Sequence, residues 1–272
     1  MARDSMALTA ETMHFVNGEG PVLYASLPCG PWGDQSLESR QTNLENQKHR
    51  LASGLWDQLA AINNSHWTGR LSHNSAVFPV RLVRGLLGRP HLLSGENLGP
   101  AISFSQCGGN VWAALCADNF NIGMDAAQSD EFQDEYPFYR VFQPQEIAHA
   151  LKLVGKDMGK ASALLWSIKE AFAKALGCGF NFVDPRQIEV YPADQSKNQD
   201  GAFAFSVGLS KKAEKRFPMA VGRYLWVRSL SKGKGKMWIS IALLNWQDRI
   251  SQRAKAYYSL PDKDFGFVIG RG

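Results

Sequence analysis

Apolar residues recur at helical spacing between Leu37 and Ile62, at Leu44, Leu51, Leu55, Leu59 and Ile62, with polar residues filling the other positions. The pattern predicts one amphipathic helix, broken near Gly54, because glycine inside a helix costs about 1 kcal/mol relative to alanine. A second helical stretch runs from Leu164 to Leu176, and Gly177 stands where a left-handed C-cap residue belongs. Strands are predicted at Val22 to Leu27, Val111 to Ala117, Ile122 to Met124, Gln187 to Tyr191, Ala202 to Leu209, Tyr224 to Val227 and Met237 to Leu244. Val77 to Leu87 alternates as well, carrying Arg81 and Arg84. Between these elements lie a Pro/Gly-rich turn at Pro28 to Gly33 and an acidic, aromatic stretch at Asp130 to Tyr139, read as a mobile loop. The run Ser231-Lys232-Gly233-Lys234-Gly235-Lys236 reads as a hairpin loop between the last two strands, and Asp262 to Gly272 receives no assignment.

The second helix carries the chemistry. Trp166, Glu170 and Lys174 recur at i, i+4 and i+8 and so share one flank. Lys169 lies about 100° around the helix from Glu170. A carboxylate between two lysines suits a site that holds a cation and a phosphate together. The simpler reading is a surface ion pair worth a few tenths of a kcal/mol. Upstream, Asn121-Ile122-Gly123-Met124-Asp125 reads as a strand that ends on an acid, with Gly123 leaving room for a neighbouring backbone or ligand. Asp125 and Glu170 make a candidate Mg²⁺ pair, since magnesium takes one or two carboxylates and completes its shell with water and phosphate oxygens.

Gly123-Met124-Asp125 followed by Trp166-Ser167-Ile168-Lys169-Glu170-Ala171-Phe172-Ala173-Lys174 resembles the paired signature of the 4'-phosphopantetheinyl transferase superfamily. The closer match is to its surfactin-synthetase-activating (Sfp) type, with G-(I/V)-D and then W-(S/T/C)-x-K-E-(A/S)-x-x-K, and the chain resembles a divergent member. Gly88-Arg89-Pro90-His91-Leu92 resembles the family's G-K-P-(Y/F)-L turn. Ile102-Ser103-Phe104-Ser105-Gln106 resembles its strand ending in S-H, and Phe142-Gln143-Pro144-Gln145-Glu146 its F-(F/S)-x-x-E segment. The resemblance covers residues 85 to 190 well and the rest by general shape.

The resemblance implies an α+β fold of two similar α+β halves, with the active site in the cleft between them. Here the halves would be residues 1–118 and residues 119–272, the latter carrying the metal and signature-helix motifs. It implies a Mg²⁺-dependent transfer of 4'-phosphopantetheine from coenzyme A to a serine of an acyl or peptidyl carrier protein, releasing 3',5'-ADP. Asp125 and Glu170 would hold the metal. Glu146, or a water on the metal, would take the serine proton. Lys174 would stabilise the leaving phosphate, with Lys169 as a second phosphate contact. Arg89, Gln106 and Ser105 would bind the nucleotide phosphates, and Lys48 and Arg50 are candidates for the adenosine 3'-phosphate. Two positions depart from the pattern. Ala127 stands where most members have a second acid, and Gln106 where many have a phosphate-binding histidine.

Composition narrows the alternatives. The 272 residues are 44% hydrophobic, enough for a sizeable core. The formal charge of +5 and a pI near 9.0 favour an acidic partner, and both carrier proteins and coenzyme A are acidic. Nucleic acid is a weaker alternative, because no helix-turn-helix, zinc or RNP signature accompanies the lysines. The departures at Ala127 and Gln106 keep open a non-catalytic paralogue that binds carrier protein or coenzyme A. Four scattered cysteines without a C-x-x-C pair argue against a zinc site or disulfide framework. No histidine spacing points to a metal, and no G-x-S-x-G elbow to a serine hydrolase. The longest apolar run is too short to span a bilayer, and the first residues lack signal-peptide order. The expectation is a cytoplasmic monomer without membrane contact.

Overall fold

The computed structural model describes residues 8–15, 22–30, 36–61, 80–85, 88–95, 97–116, 120–133, 136–192, 201–217, 225–233 and 235–245. In order these form β1 (Glu11–Met13), β2 (Val22–Pro28), α1 (Leu37–Ala61), β3 (Val80–Arg84), β4 (Pro90–Ser94), β5 (Asn97–Leu98), β6 (Ile102–Cys107) and β7 (Asn110–Leu115). They are followed by β8 (Phe120–Gln128), α2 (Phe138–Val141), α3 (Pro144–Leu153), α4 (Met158–Ala175), β9 (Ile188–Pro192), β10 (Phe203–Leu209), α5 (Lys211–Glu214), β11 (Leu225–Lys232) and β12 (Met237–Asn245). The fold is α+β, as the motifs implied.

Two larger sheets repeat one wiring. The first has the order β1-β2-β7-β6 and the second β8-β12-β11-β10-β9. In each, the strand preceding the long helix pairs antiparallel with the last strand of its half, which in turn pairs with the strand before it. A third, small sheet joins β3, β4 and β5. The expected boundary between residues 118 and 119 lies between β7 and β8, at a junction whose residues 117–119 fall outside the described residues.

Strict alternation along the strands sorts the core into three layers. Leu23, Ala25, Val111, Ala113 and Leu115 meet Leu51, Leu55 and Leu59 of α1. The opposite faces supply Val22, Tyr24, Trp112 and Ala114, which pack on Ile122, Met124 and Ala126 of β8 and on Ile239, Ile241 and Leu243 of β12. Beyond the second sheet, α4 buries Leu164, Leu165, Ile168 and Phe172 among residues such as Val190, Val207, Val227 and Ala242. The stack is therefore helix, sheet, sheet, helix.

Two predicted boundaries change. Helix α1 runs unbroken through Gly54, where a Cβ would lie 2.6 Å from Leu8 Cδ2, so the glycine serves close packing rather than a break. Strand β8 continues three residues past Asp125, which sits in mid-strand opposite Ser240. Asp130 to Tyr139 forms a turn at Ser129–Glu131 and the start of α2, pinned by Phe132 edge-on to Tyr136 and by Tyr136 edge-on to Trp166. Among the described residues no helix is long and apolar enough to cross a membrane. The part of the expected turn at Pro28 to Gly33 that lies beyond Gly30, and the C-terminal stretch Asp262 to Gly272, fall outside the described residues.

Candidate active site

The site begins with a glycine. A Cβ on Gly123 would overlap the Ala171 carbonyl oxygen and lie 2.5 Å from Ala175 N, so only glycine lets α4 rest directly on β8. That approach brings the last turns of α4 over Asp125, two residues on and therefore on the same face of the strand. Asp125 is 6% exposed. Its Oδ1 accepts hydrogen bonds from Ser105 Oγ at 2.8 Å and from Lys174 Nζ at 2.7 Å. Lys174 also donates to the Met124 carbonyl at 3.1 Å.

Glu170 stands one turn before Lys174 on the same flank. Burial raises its pKa, Lys174 opposes that rise, and the nearby Asp125 carboxylate adds to it. Two carboxylates thus share a partly dehydrated space with one ammonium, an excess of negative charge that a hard dication would relieve. Asp125 and Glu170 in this sense fit a Mg²⁺ site of the kind that leaves positions for water and phosphate. No cluster of three or more metal-ligating side chains exists among the described residues. Ala127 supplies no third acid: it is buried in the apolar cluster that contains Phe132 and Trp238.

Beside these acids lies a cavity of about 510 Å³ between the two halves. From α1 come Glu45, Lys48 and His49, and from β3 Leu82 and Arg84; Arg89 and Pro90 follow, then Ser103 and Phe104 of β6 and Lys174 of α4. Five cationic or potentially cationic groups therefore face one space. Glu45 offsets part of that charge by pairing with Lys48 at 2.9 Å and with Arg84 at 2.6 Å, and its own pKa is lowered by them against the opposing effect of burial. Helix α4 ends in a Schellman turn, with Cys178 N bonded to Ala173 O, Gly177 N to Lys174 O and Gly177 at φ +83°. A side chain at Gly177 would meet Arg89 Nη1 at 2.8 Å, so the guanidinium lies across the C-terminal end of the helix, where a cation is favoured.

Glu146 and Lys169 are placed differently. Gln143-Pro144-Gln145-Glu146 opens α3 as a capping box, with Gln143 N donating to Glu146 Oε2 at 2.8 Å. The side chain of Lys169 is 0% exposed and its ammonium meets Glu146 Oε2 at 2.8 Å and Oε1 at 3.0 Å. Its remaining donors go to the carbonyls of Pro185 at 2.9 Å and Ile188 at 2.6 Å, while Val190 N donates to Glu146 Oε1 at 2.9 Å. Burial lowers the Lys169 pKa and Glu146 pulls it back up. A proton acceptor and a phosphate contact both need an open side chain, and these two close on each other.

Of the residues expected at the site, Asp125, Glu170, Lys174 and Arg89 come together at the cavity and its acidic edge. Ser105 faces Asp125 instead of the cavity, donating to its carboxylate while its oxygen accepts the Ala126 amide at 3.1 Å. Gln106 is exposed, on the opposite face of β6 from Ser105, and does not line the cavity. Lys48 lines it; Arg50 is exposed and bonds Gln47. The sequence assigned no site role to His49, Arg84 or Ser103. The alternation of β3, which carries Arg84 before the Gly88-Arg89-Pro90 turn, was the one signal that pointed there.

Residues 121–221 match the family model ACPS, the 4'-phosphopantetheinyl transferase superfamily. Among solved structures it is similar to a Chronobacterium ammoniagenes ACPS-CoA complex, with 22% identity and a TM-score of 0.38 over 47% of this chain and 98% of that one. It is also similar to the holo-(acyl-carrier-protein) synthase (AcpS) of Thermotoga maritima, with 17% identity and a TM-score of 0.33 over 46% of this chain and 62% of that one. No curated protein matches the sequence.

Proposed function

We propose that the protein transfers 4'-phosphopantetheine from coenzyme A to a serine hydroxyl of an acyl or peptidyl carrier protein and releases 3',5'-ADP, in the manner of the surfactin-synthetase-activating type. The observation that carries this reading is the joining of a cation-lined cavity to the Asp125–Glu170 carboxylates through one side chain, Lys174, which lines the cavity and pairs with Asp125. A polyanionic nucleotide needs the first and a divalent ion the second. Asp125 and Glu170 would hold Mg²⁺, which supplies charge neutralisation at the pyrophosphate.

The protein's own residues do the rest by position and charge. Lys48, Arg84 and Arg89 grip the nucleotide phosphates from three separate elements. The serine oxygen forms a bond to the β-phosphorus as the bond from that phosphorus to the bridging oxygen of the nucleotide breaks. Lys174 stands where it can meet the negative charge growing on the departing 3',5'-ADP. The serine proton passes to Glu170, which, unlike Glu146, is not enclosed by an ion pair. The fold would work in the cytoplasm, where coenzyme A and carrier proteins are available.

Incubating the protein with coenzyme A, Mg²⁺ and an apo-carrier protein should add the mass of phosphopantetheine to the carrier. Coenzyme A binding without any mass gain across several carriers would favour a non-catalytic paralogue, a reading for which the buried Ala127 and the outward Gln106 speak.

A further inference from the structure

Helix α5 presents an unusual outer surface. Ala213 is buried and Phe217 packs on the core of the second half, which turns Lys211, Lys212, Lys215 and Arg216 outward, all exposed. Among the described residues none of these four forms an ion pair, whereas Lys48, Arg84, Lys160, Lys169, Lys174 and Lys232 all do. Arg216 Nη1 donates to the Phe182 carbonyl at 3.4 Å, which ties the basic surface to the turn after α4. Phe182 itself is 48% exposed, a large ring left in water beside that arginine. The preceding residue, Asn181, lines the cavity. A strip therefore leads from the cavity mouth, over an exposed aromatic ring, to four outward cations. The acids nearest in sequence are Glu214 and Asp184, and Asp184 is occupied in capping the Pro185–Gln187 turn.

We propose that this strip is the docking surface for an acidic acceptor protein, with Phe182 as its apolar anchor and the α5 cations steering the partner to the cavity. The proposal rests on the transferase reading, since it places the macromolecular substrate next to the nucleotide. Charge complementarity decides the occupant. A strip of cations around one ring attracts an acidic protein surface by long-range steering and holds it by a small buried contact, the arrangement in which a few aromatic residues carry most of the affinity. Nucleic acid would also answer to the lysines, but the described strip offers it one ring and no groove for a backbone.

The test is the double charge reversal Lys212→Glu/Lys215→Glu in the full chain, assayed with coenzyme A and an acidic apo-carrier protein. The KM for the carrier should rise about tenfold, with a shallower dependence on salt. The kcat, the KM for coenzyme A and the thermal midpoint should stay unchanged. Phe182→Ala should raise the carrier KM as well, and that effect should persist at high salt. Normal wild-type turnover with an unchanged carrier KM in the double variant overturns the dock and leaves the transferase reading standing. Loss of an oligonucleotide's binding on charge reversal, with carrier kinetics intact, overturns it in favour of nucleic acid. No wild-type turnover with any carrier overturns the underlying reading, and the dock with it.

Discussion

Replacing Lys169 with methionine separates a structural lysine from a catalytic one. The ammonium has no exposed surface and spends every donor inside the fold, on both oxygens of Glu146 and on the Pro185 and Ile188 carbonyls. Methionine fills much the same volume without a charge, so packing is largely kept. What remains is the Glu146 carboxylate, 2% exposed, with only the Gln143 and Val190 amides as partners. Breaking one side of a buried pair costs about 3–5 kcal/mol, because the other charge is left without compensation. Against a total stability of about 5–15 kcal/mol that is a large fraction. The pair as a whole contributes less than this, because burial already pulls the Lys169 pKa below its ordinary value. The double variant Glu146→Gln/Lys169→Met should accordingly recover about half of the loss seen in the single variant. Urea unfolding followed by tryptophan fluorescence gives the three free energies, and turnover measured where each variant is still folded gives the activities. If Lys169→Met keeps its stability within about 1 kcal/mol but loses turnover, the lysine acts at the phosphate and its enclosure here is not what matters.

Three further outcomes are expected. Gly123→Ala should destabilise by about 3 kcal/mol, the upper end of overpacking costs, because the new methyl meets backbone atoms of α4; a normal urea midpoint would contradict that approach. Glu170 has a pKa raised by burial, so the folded state holds a proton that the unfolded chain gives up, and the group's cost is absent below about pH 4.3 and grows as pH rises to the folded value. Glu170→Gln should therefore raise the metal-free thermal midpoint at pH 7, bring no gain at pH 4, and abolish any Mg²⁺-dependent rise; an unchanged Mg²⁺ response would remove Glu170 from the metal. Lys174→Ala should lower kcat by roughly 10²–10³-fold with a smaller loss of coenzyme A affinity, and near-normal kcat would reduce Lys174 to a partner of Asp125.

The sequence showed the elements that rest on local signals. The alternating strand β10 and the nearly continuous apolar run of β12 fall within a residue of their expected bounds, and Gly177 is marked by its position after a helix. Gly54 misled because propensity was read where packing against Leu8 decides. Asp125 was put past a strand end because Asp125-Ala126-Ala127-Gln128 has no β-branched residue; pairing with β12 keeps those residues extended. The Asp125, Glu170 and Lys174 grouping was legible because a signature spacing encodes it. The Glu146–Lys169 enclosure was not, because the carbonyls that complete it belong to Pro185 and Ile188 and only tertiary folding brings them in. For the same reason the cavity's cations, spread over α1, β3 and the turn at Arg89, gave no single run of charge.

The seam between β6 and β8 has a consequence for how the two halves depend on each other. Strand β8 is the edge of its sheet, and its outward amides at Met124 and Ala126 are received by the hydroxyls of Ser103 and Ser105 instead of by another backbone. An open edge of this kind invites pairing with a foreign strand. The first half thus works as a built-in guard, closing with two side chains a border that would otherwise recruit another copy. Cut away from it, the second half would lose Ser105 from beside Asp125 together with its protection, and solubility and the acidic site would fail together.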